Sequence, residues 1–277
     1  MLAPSPRYSA RFVAALTRLF WPLARFWFRP RIHGWERIPP APCLFVANHS
    51  AYGVFEILVM LAIWQRHFSG QRPVAGLAHD VGMVGPLRWP VEAIGGVRAS
   101  REAARELLAR GFDVLVFPGG FLDALRPFSG RYEVHWGGRA GFMRVAADCG
   151  VPIVPVANCG SHAQYTMLAG GSNLARWLGL TRLKIHRFPV TVGILGFLAA
   201  LAGWLAGWIS WPWMLLGLAC AILPNPSRMD IAFLVPIQPP QLLSEAGGDV
   251  GAAAEQVRTR IEQTVKSMAT RRATPWE

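Results

Sequence analysis

The stretch Cys43-Leu44-Phe45-Val46-Ala47-Asn48-His49-Ser50 decides the fold. Its apolar run predicts a short buried strand, and the polar residues after Ala47 mark the turn at which that strand ends. Further apolar runs predict strands at 73–78, 113–117, 153–157 and 230–237, and helical patterns fall at 100–110, 139–149 and 255–268. Strands that alternate with helices predict an α/β fold, in which helices flank a mostly parallel central sheet.

The composition of the chain is apolar and basic. Of its 277 residues, 52% are hydrophobic and 16% are charged, and the net charge is +12. Soluble domains carry about 25% charged residues, so we expect part of this surface to lie in lipid. A basic excess suits either nucleic acid or an anionic membrane. Because the basic N-terminal residues alternate with Trp, Phe and Leu, we favour the membrane and expect no nucleic-acid partner.

Residues 1–30 are predicted to form an amphipathic helix on a membrane surface. Five arginines lie within about 40° of each other on a helical wheel; they are Arg7, Arg11, Arg18, Arg25 and Arg29. The opposite side carries Phe12, Leu16, Leu19, Phe20, Leu23 and Trp27. Pro22 predicts a kink or a second helical segment. The alternative is a helix packed on the protein's own core, and the interrupting arginines argue against a signal peptide.

A second apolar region, residues 188–227, contains no charged residue. Its 194–209 portion gives about 24 Å of helix, which is shorter than the roughly 30 Å hydrocarbon core of a bilayer. Pro212 and several glycines interrupt the run, and four Trp lie between 204 and 213, a residue type that prefers the membrane interface. We predict a helical hairpin over about 190–224 that dips into one leaflet. A transmembrane span and a buried helix pair are the alternatives.

His49 is the candidate general base because it directly follows a predicted strand. Reactive groups in open α/β sheets collect at the carboxyl ends of strands. A neutral imidazole there could take a proton from an alcohol as the alcohol attacks a thioester. Asn48 and Ser50 place further polar groups beside it and are candidates for substrate binding. The alternative is a structural histidine.

A general base of this kind needs a carboxylate that fixes its tautomer. Glu56 is seven residues further on, which is about 10 Å along a regular helix. It can therefore pair with His49 only if residues 50–53 form a loop and the helix starts near Gly53. Asp80 and Asp123 are the alternative partners, and Glu56 could otherwise serve only to open its own helix.

Phe117-Pro118-Gly119-Gly120 ends another predicted strand. Gly119 and Gly120 would let backbone N–H groups approach a phosphate or the oxyanion of a thioester closely. Pro-Gly-Gly is also an ordinary turn. Three arginines that follow are candidates for pairing with substrate phosphate, or are surface charges; they are Arg126, Arg131 and Arg139.

The order of these blocks resembles that of the lysophospholipid acyltransferase superfamily, also called the glycerolipid acyltransferase superfamily. The blocks are Asn48-His49, Ile94-Gly95-Gly96-Val97, Ser100-Arg101-Glu102, Phe117-Pro118-Gly119-Gly120 and Gly150-Val151-Pro152-Ile153-Val154-Pro155-Val156. The resemblance covers roughly residues 31–165, and it adds Arg101 to the candidates for substrate binding. The stretch from Phe117 to Arg126 and the block Arg139-Ala140-Gly141-Phe142 look most like the diacylglycerol acyltransferase-like branch.

The resemblance implies a glycerol-phosphate acyltransferase-like domain over 31–277 that includes the apolar insertion. Its expected activity is transfer of a fatty acyl group from acyl-CoA or acyl-carrier protein to a lipid hydroxyl of a lysophospholipid, a diacylglycerol or another alcohol. His49 would be the base and Glu56 its partner, without metal or bound cofactor. The expected partners are membrane lipids and the acyl thioester. The expected location is the cytoplasmic face of the inner or plasma membrane, and no oligomeric state is predicted.

Two departures from the superfamily pattern shape this expectation. The usual His-x-x-x-x-Asp motif has Val54 in place of Asp, so Glu56 must substitute or the pair is altered. The usual Glu-Gly-Thr-Arg block, whose Arg is linked to acceptor phosphate, is replaced by Pro118-Gly119-Gly120-Phe121. The second change favours a neutral alcohol over lysophosphatidic acid as acceptor. The alternative functions are a lipid hydrolase or thioesterase and a non-catalytic lipid-binding protein.

Overall fold

The computed structural model describes residues 4–40, 42–50, 54–183 and 187–277. The strands, numbered along the chain, are β1 (Arg31–His33), β2 (Leu44–Ala47), β3 (Val74–Ala78), β4 (Gly96–Arg98), β5 (Asp113–Val116), β6 (Ile153–Cys159), β7 (Met167–Gly171), β8 (Phe188–Thr191) and β9 (Asp230–Phe233). Seven of them form one sheet in the order β1-β9-β6-β2-β5-β3-β4, and β7 and β8 form a separate antiparallel pair. Within the large sheet only the β6–β9 pair is antiparallel, so the predicted mostly parallel sheet is confirmed.

Helices of very different length connect these strands. They are α1 (Ala10–Leu23), α2 (Val54–Phe68), α3 (Arg88–Ala93), α4 (Arg101–Ala109), α5 (Phe121–Ala124), α6 (Gly141–Cys149), α7 (Ser172–Trp177), α8 (Val192–Leu205), α9 (Trp211–Ile222), α10 (Pro239–Glu245) and α11 (Val250–Ala269). The hydroxyl of Ser100 caps α4 by accepting the N–H of Ala103 at 3.0 Å. α11 begins earlier than predicted because the carboxylate of Asp249 caps it.

The apolar strand β2 lies in the middle of the sheet, and its side chains alternate between two buried layers. Leu44 and Val46 pack in one core with residues of α4, α6 and α11. Phe45 and Ala47 pack in the other core with residues of α1 and α2. Helices therefore cover both faces of the sheet, and β2 reads as a continuous apolar run because both of its faces are buried.

α1 packs against the core through a narrow face of the helix. Its buried residues are Val13 and Thr17, and Ala24 and Phe28 continue this face in the turn that follows. The predicted apolar stripe is instead only half-buried or exposed, and Leu19 is 82% exposed. The arginines at 11, 18 and 25 are exposed, as predicted for the arginine side, and a third side of the helix packs against the core.

The break predicted at Pro22 is a change from α-helix to π-helix just after this residue. α1 continues through Pro22 to Leu23, and the backbone then widens into a π-helical turn over Ala24–Phe28. Proline has no N–H to donate, which weakens the hydrogen-bond ladder at this point. Arg29 ends the segment in the left-handed region with φ of 41°, and its N–H donates to the carbonyl of Ala24 at 3.0 Å.

α8 and α9 form a hairpin at the position predicted for the apolar insertion. The two helices approach closely at glycine, since a Cβ on Gly217 would lie 3.0 Å from that of Ala200. Neither helix has a buried residue, so the alternative of a buried core pair was wrong. Within the part of the chain that the structure describes, no helix is both long and apolar enough to cross a membrane.

Candidate active site

His49 lies at the carboxyl edge of the sheet, where three neighbouring strands bring their following residues together. β2 pairs in parallel with both β5 and β6. Consequently His49 after β2, Phe117 after β5 and Asn158 near the end of β6 reach the same edge. The imidazole is partly buried, with 14% of the side chain exposed.

Glu56 contacts the His49 ring directly. Its Oε2 lies 2.8 Å from Nδ1 of His49 and also accepts the backbone N–H of Ser50 at 3.0 Å. Glu56 lies in the first turn of α2, and its side chain is fully buried. This arrangement requires α2 to begin near Val54. The predicted hinge at Gly53 lies outside the described residues.

The same carboxylate fixes the tautomer of the neutral ring. A carboxylate only accepts hydrogen bonds, so Nδ1 of His49 carries the proton and Nε2 keeps its lone pair. The second carboxylate oxygen accepts from the side-chain amide of Asn158. No described residue hydrogen-bonds Nε2 of His49, so this nitrogen is available to a substrate hydroxyl. Phe117 stacks on the ring with centroids 4.2 Å apart and restricts its tilt.

Asp80 and Asp123, the alternative partners for His49, contact other groups. Asp80 forms an ion pair with Arg98 at 3.3 Å. Asp123 is fully buried, and its Oδ2 accepts the backbone N–H of His49 at 2.6 Å. Of the three predicted alternatives, only Glu56 therefore touches the ring, while Asp123 holds the backbone of the same residue.

The backbone of His49 is clamped from both sides. Asp123 accepts its N–H and forms a buried ion pair with Arg126, and burial raises the pKa of the Asp123 carboxyl while Arg126 opposes the rise. On the other side, the carbonyl of His49 accepts hydrogen bonds from Nε2 of His162 at 3.1 Å and from Nη1 of Arg126 at 3.4 Å. Sequence reasoning did not identify this clamp, because its members are distant in the chain.

His162 makes the folded protein sensitive to acid. Burial, followed by the nearby positive charge of Arg126, holds the pKa of His162 well below its ordinary value. Its proton binds more readily to the unfolded chain, so stability present above about pH 6.5 is lost as the pH falls. We expect a slope of up to about 1.4 kcal/mol per pH unit from this residue. In His162→Gln, whose amide can still donate to the His49 carbonyl, urea unfolding between pH 7 and pH 5 should show a smaller loss; an equal loss would contradict the assignment.

Asn48 and Ser50 do not present their side chains as expected. Asn48 is buried, and its amide exchanges two hydrogen bonds with the backbone of Asn158, at 2.7 and 2.8 Å. It joins β2 to β6 beside the site. The hydroxyl of Ser50 is buried without a hydrogen-bond partner among the described residues. These positions support the geometry around Glu56 and are not exposed to a substrate.

The Pro-Gly-Gly turn is shaped by contacts within the protein. A Cβ on Gly119 would overlap that of Asp123 and would lie 2.5 Å from the carbonyl oxygen of His135. Gly120 has φ of 48°, which favours glycine. Arg139 donates to the carbonyls of Pro118 and Gly119 at 3.0 and 2.6 Å. The glycines are therefore needed for close packing over Asp123.

Gly119→Ala should destabilise the protein by about 1–3 kcal/mol, because the added methyl group has no room beside Asp123. Gly76→Ala is the matched control, since a Cβ there would meet no atom within 4 Å. Thermal unfolding should give a clearly lower Tm for Gly119→Ala and a nearly unchanged one for Gly76→Ala. Similar Tm values for the two variants would show that the turn relaxes without cost.

The predicted arginines fall into two groups. Arg126 is 3% exposed, and it donates to the Gly130 carbonyl at 2.9 Å as well as to Asp123 and His49. Its predicted role in pairing with substrate phosphate is replaced by a structural one, because its donors are used inside the protein. Arg131 donates to the Phe128 carbonyl at 2.9 Å.

Arg101 and Arg139 are the exposed members of the predicted set. The Nε of Arg101 lies 3.3 Å from the position that a Cβ on Gly141 would take. Arg139 lies two residues before Gly141 and holds the Pro-Gly-Gly turn. Arg139 therefore contacts the Pro-Gly-Gly turn directly, and Arg101 lies beside Gly141.

Comparison with known proteins finds a family model and a relative that match this chain. A family model described as Acyltransferase matches residues 29–158. An uncharacterized protein of Mycobacterium tuberculosis is 32% identical over 268 residues, covering 94% of this chain and 66% of its own length. The chain thus spans somewhat less than two thirds of that relative.

A further relative matches part of the chain in sequence, and a crystal structure matches its fold. A chicken protein described as DGAT1/2-independent enzyme synthesizing storage lipids is 34% identical over 133 residues, or 48% of this chain and 39% of that protein. The crystal structure of the 1-acyl-sn-glycerophosphate (LPA) acyltransferase PlsC from Thermotoga maritima matches with a TM-score of 0.54 and 17% identity. It covers 95% of this chain and 81% of that one, which shows that the fold is shared. Residues 29–158 are therefore similar to an acyltransferase domain, and the chain shares its fold with a solved acyltransferase.

Proposed function

We propose that the protein transfers an acyl chain from an acyl thioester to the hydroxyl group of a membrane lipid. The observation that carries this proposal is the His49–Glu56 pair at 2.8 Å, which leaves Nε2 of His49 open at the carboxyl edge of the sheet. A charged carboxylate behind an imidazole stabilises the positive ring that forms when the other nitrogen takes a proton.

The chemistry follows from this geometry. Nε2 of His49 takes the hydroxyl proton as the alcohol oxygen attacks the thioester carbonyl carbon. The C–O bond forms, the C–S bond breaks, and the departing thiolate takes the proton from the imidazolium. Glu56 keeps its hydrogen bond to Nδ1 and steadies the imidazolium throughout. The ring therefore returns to its starting tautomer at the end of each turnover.

Arg101 and Arg139 are the groups that we assign to the acyl donor. Both acyl-CoA and acyl-carrier protein present phosphate next to the pantetheine arm. Both residues are exposed; Arg139 contacts the Pro-Gly-Gly turn, and Arg101 lies beside Gly141, two residues after Arg139. Arginine suits phosphate because its planar fork can form two parallel hydrogen bonds. The donor is therefore an acyl thioester that carries phosphate, held by ion pairs at this turn.

The acceptor that we propose is a neutral lipid alcohol such as a diacylglycerol. The block at 118–121 lacks an arginine, and Arg126 is occupied by Asp123 inside the protein. Neither can therefore bind an acceptor phosphate. Vertebrate relatives described as enzymes that synthesise storage lipids support this choice.

We also propose that the protein works at the cytoplasmic face of a membrane, with the α8–α9 hairpin dipping into one leaflet. Trp208, Trp211 and Trp213 near the tip are 85%, 60% and 61% exposed. Burial of such large aromatic groups at the membrane interface is favourable, and Trp is enriched there.

The test is an assay with purified protein, labelled acyl-CoA or acyl-carrier protein, and vesicles that contain one lipid alcohol at a time. We expect labelled triacylglycerol from diacylglycerol vesicles, and little product from lysophosphatidic acid. Release of free fatty acid without any labelled lipid would instead identify a thioesterase. Absence of both products with every acceptor would overturn the proposal.

A further inference from the structure

The segment after α11 packs against the carboxyl edge of the sheet and carries two side chains that the site described above does not include. Arg272 is buried, and Trp276 is 39% exposed. Each donates a hydrogen bond to a backbone carbonyl 113 residues earlier in the chain, Arg272 to that of Cys159 and Trp276 to that of Ala163. The segment is thereby tied to the turn after β6, which carries His162.

Arg272 fixes the point at which the chain leaves β6. Its Nη2 donates to the carbonyl of Cys159 at 2.9 Å, and its Nη1 donates to the carbonyl of Arg228 at 3.0 Å. The guanidinium also forms an ion pair with Asp230 of β9. Gly160 follows with φ of 99°, and a Cβ there would overlap the carbonyl oxygen of Arg228. The turn after β6 therefore begins in a conformation that glycine adopts most readily.

Trp276 holds the turn that carries His162. Its indole N–H donates to the carbonyl of Ala163, the next residue, at 3.1 Å. Its backbone carbonyl accepts the N–H of Arg228 at 2.9 Å and Nη2 of Arg29 at 2.8 Å. The residue is therefore fixed by its backbone as well as by its ring.

The ring of Trp276 also contacts a second turn, which follows Arg126. It stacks on Phe128, with centroids 5.7 Å apart and an angle of 22° between the rings. Phe128 begins a 3-10 turn that ends at Gly130, and the carbonyl of Gly130 accepts Nε of Arg126 at 2.9 Å. One indole therefore touches the turn of His162 and the turn that holds Arg126.

The two turns converge on the backbone of His49. His162 and Arg126 donate to the His49 carbonyl at 3.1 and 3.4 Å. Both of these donors are supported by segments that Trp276 contacts. Because a shift of about 1 Å in a reacting group can change a rate by about 100-fold, this support affects the reaction as well as the folding of the chain.

We propose that Trp276 is a positioning residue for His49, which acts through His162 and Arg126. This inference rests on the acyl-transfer function proposed above and adds to it a part of the chain outside residues 29–158. The indole takes no part in proton transfer. It keeps the two hydrogen-bond donors in place, so that Nε2 of His49 stays aimed at the lipid hydroxyl. Its loss should lower kcat and leave KM unchanged for both substrates.

The first experiment measures initial rates and Tm for two substitutions of Trp276. Trp276→Phe keeps an aromatic ring on Phe128 and loses the hydrogen bond to Ala163, and kcat should fall about fivefold. Trp276→Ala loses both contacts, and kcat should fall about 50-fold. A lowered Tm with an unchanged kcat per folded molecule would make Trp276 a structural residue and overturn the proposal.

Trp89 is the matched control for both substitutions. It is 55% exposed, and its ring also contacts one phenylalanine, since its centroid lies 5.5 Å from that of Phe12. Its indole N–H has no hydrogen-bond partner among the residues that the structure describes. Trp89→Phe and Trp89→Ala should keep the wild-type kcat. If they lose as much rate as the Trp276 variants, the loss is not specific to the contacts with the two turns, and the proposal is wrong.

A double-mutant cycle tests whether Trp276 acts through His162. His162→Phe keeps a ring of similar size in the buried position and removes the donor to the His49 carbonyl. Trp276→Phe should then lower kcat much less in the His162→Phe background than in the wild type, because the link between the two residues is already broken. Additive losses in the double variant would overturn the proposed route.

A third measurement needs no substrate. In NMR spectra of the histidine rings, the His49 signals are those that disappear in His49→Ala. Trp276→Ala should shift them, whereas Trp89→Ala should leave them in place. Unchanged His49 signals in Trp276→Ala would overturn the proposal. If the wild-type protein transfers no acyl group to any acceptor, the proposed function fails, while the NMR result still shows whether Trp276 positions the His49 ring.

Discussion

His49→Ala is expected to lower kcat for acyl transfer by about 10²–10⁴-fold, the range that a general base contributes. The KM for the acyl donor should change little, because Arg101 and Arg139 are separate from the ring. The measurement is initial-rate kinetics with labelled acyl thioester and diacylglycerol vesicles. Any slow hydrolysis of the thioester should fall by a similar factor, since the same nitrogen would activate water.

His135→Ala is the matched control for this experiment. His135 also has a carboxylate partner, with its Nε2 2.9 Å from Glu133, but its side chain is 45% exposed. Only its backbone N–H contacts Asp123, and the substitution leaves that group in place. We expect nearly wild-type rates. Comparable rate losses in the two variants would mean that His49 is not the base.

Glu56→Gln is expected to lower kcat about 100-fold and to leave KM nearly unchanged, since Glu56 touches the base and not the substrate. Glutamine can keep the shape of the site. Its oxygen can accept from His49 and Ser50. Its amide can donate to Oδ1 of Asn158 once the Asn158 amide turns over, because Nδ2 of Asn158 is the atom that now faces Glu56 and Oδ1 has no hydrogen-bond partner among the described residues. The rate loss would then report the missing negative charge behind the imidazolium.

Thermal unfolding distinguishes this interpretation from a loss of structure. Glu56→Gln should retain most of the stability, whereas Glu56→Ala leaves the N–H of Ser50 and the amide of Asn158 without an acceptor and should lower Tm. If Glu56→Gln keeps the wild-type kcat, the carboxylate has no part in catalysis. If both variants unfold at the same lowered temperature, Glu56 is a structural residue.

The parts of the fold that were predictable from the sequence are those set by local patterns. β2, β5 and β6 are short apolar runs that end in glycine, proline or polar residues, and α4 has both its cap and its stop signal. β9 is shorter than predicted, since Pro236 interrupts the ladder and Ile237 forms only an isolated bridge to Ile153. Strand order depends on contacts between distant segments, which no local pattern contains.

In the site, too, the features set by local sequence were predictable, and those set by contacts between distant segments were not. His49 follows a strand, so its position could be predicted, but the choice among three carboxylates depended on where α2 begins. Arg126 has the residue type of a phosphate ligand, and only its burial beside Asp123 shows otherwise. Asn158 and His162 follow the predicted strand at 153–157 at the same edge of the sheet. That placement was the available signal for both residues.

The position of β9 has a consequence for the order in which this chain can fold. β9 lies between β1 and β6, so residues 31–33 gain their neighbour in the sheet only after residues 230–233 have been made. Closing so long a loop delays completion of the sheet. During synthesis the apolar hairpin leaves the ribosome before β9, while one side of β6 is still open. A fragment limited to residues 29–158 would keep His49 and Glu56 and yet lack the strand that joins β1 to the rest of the sheet.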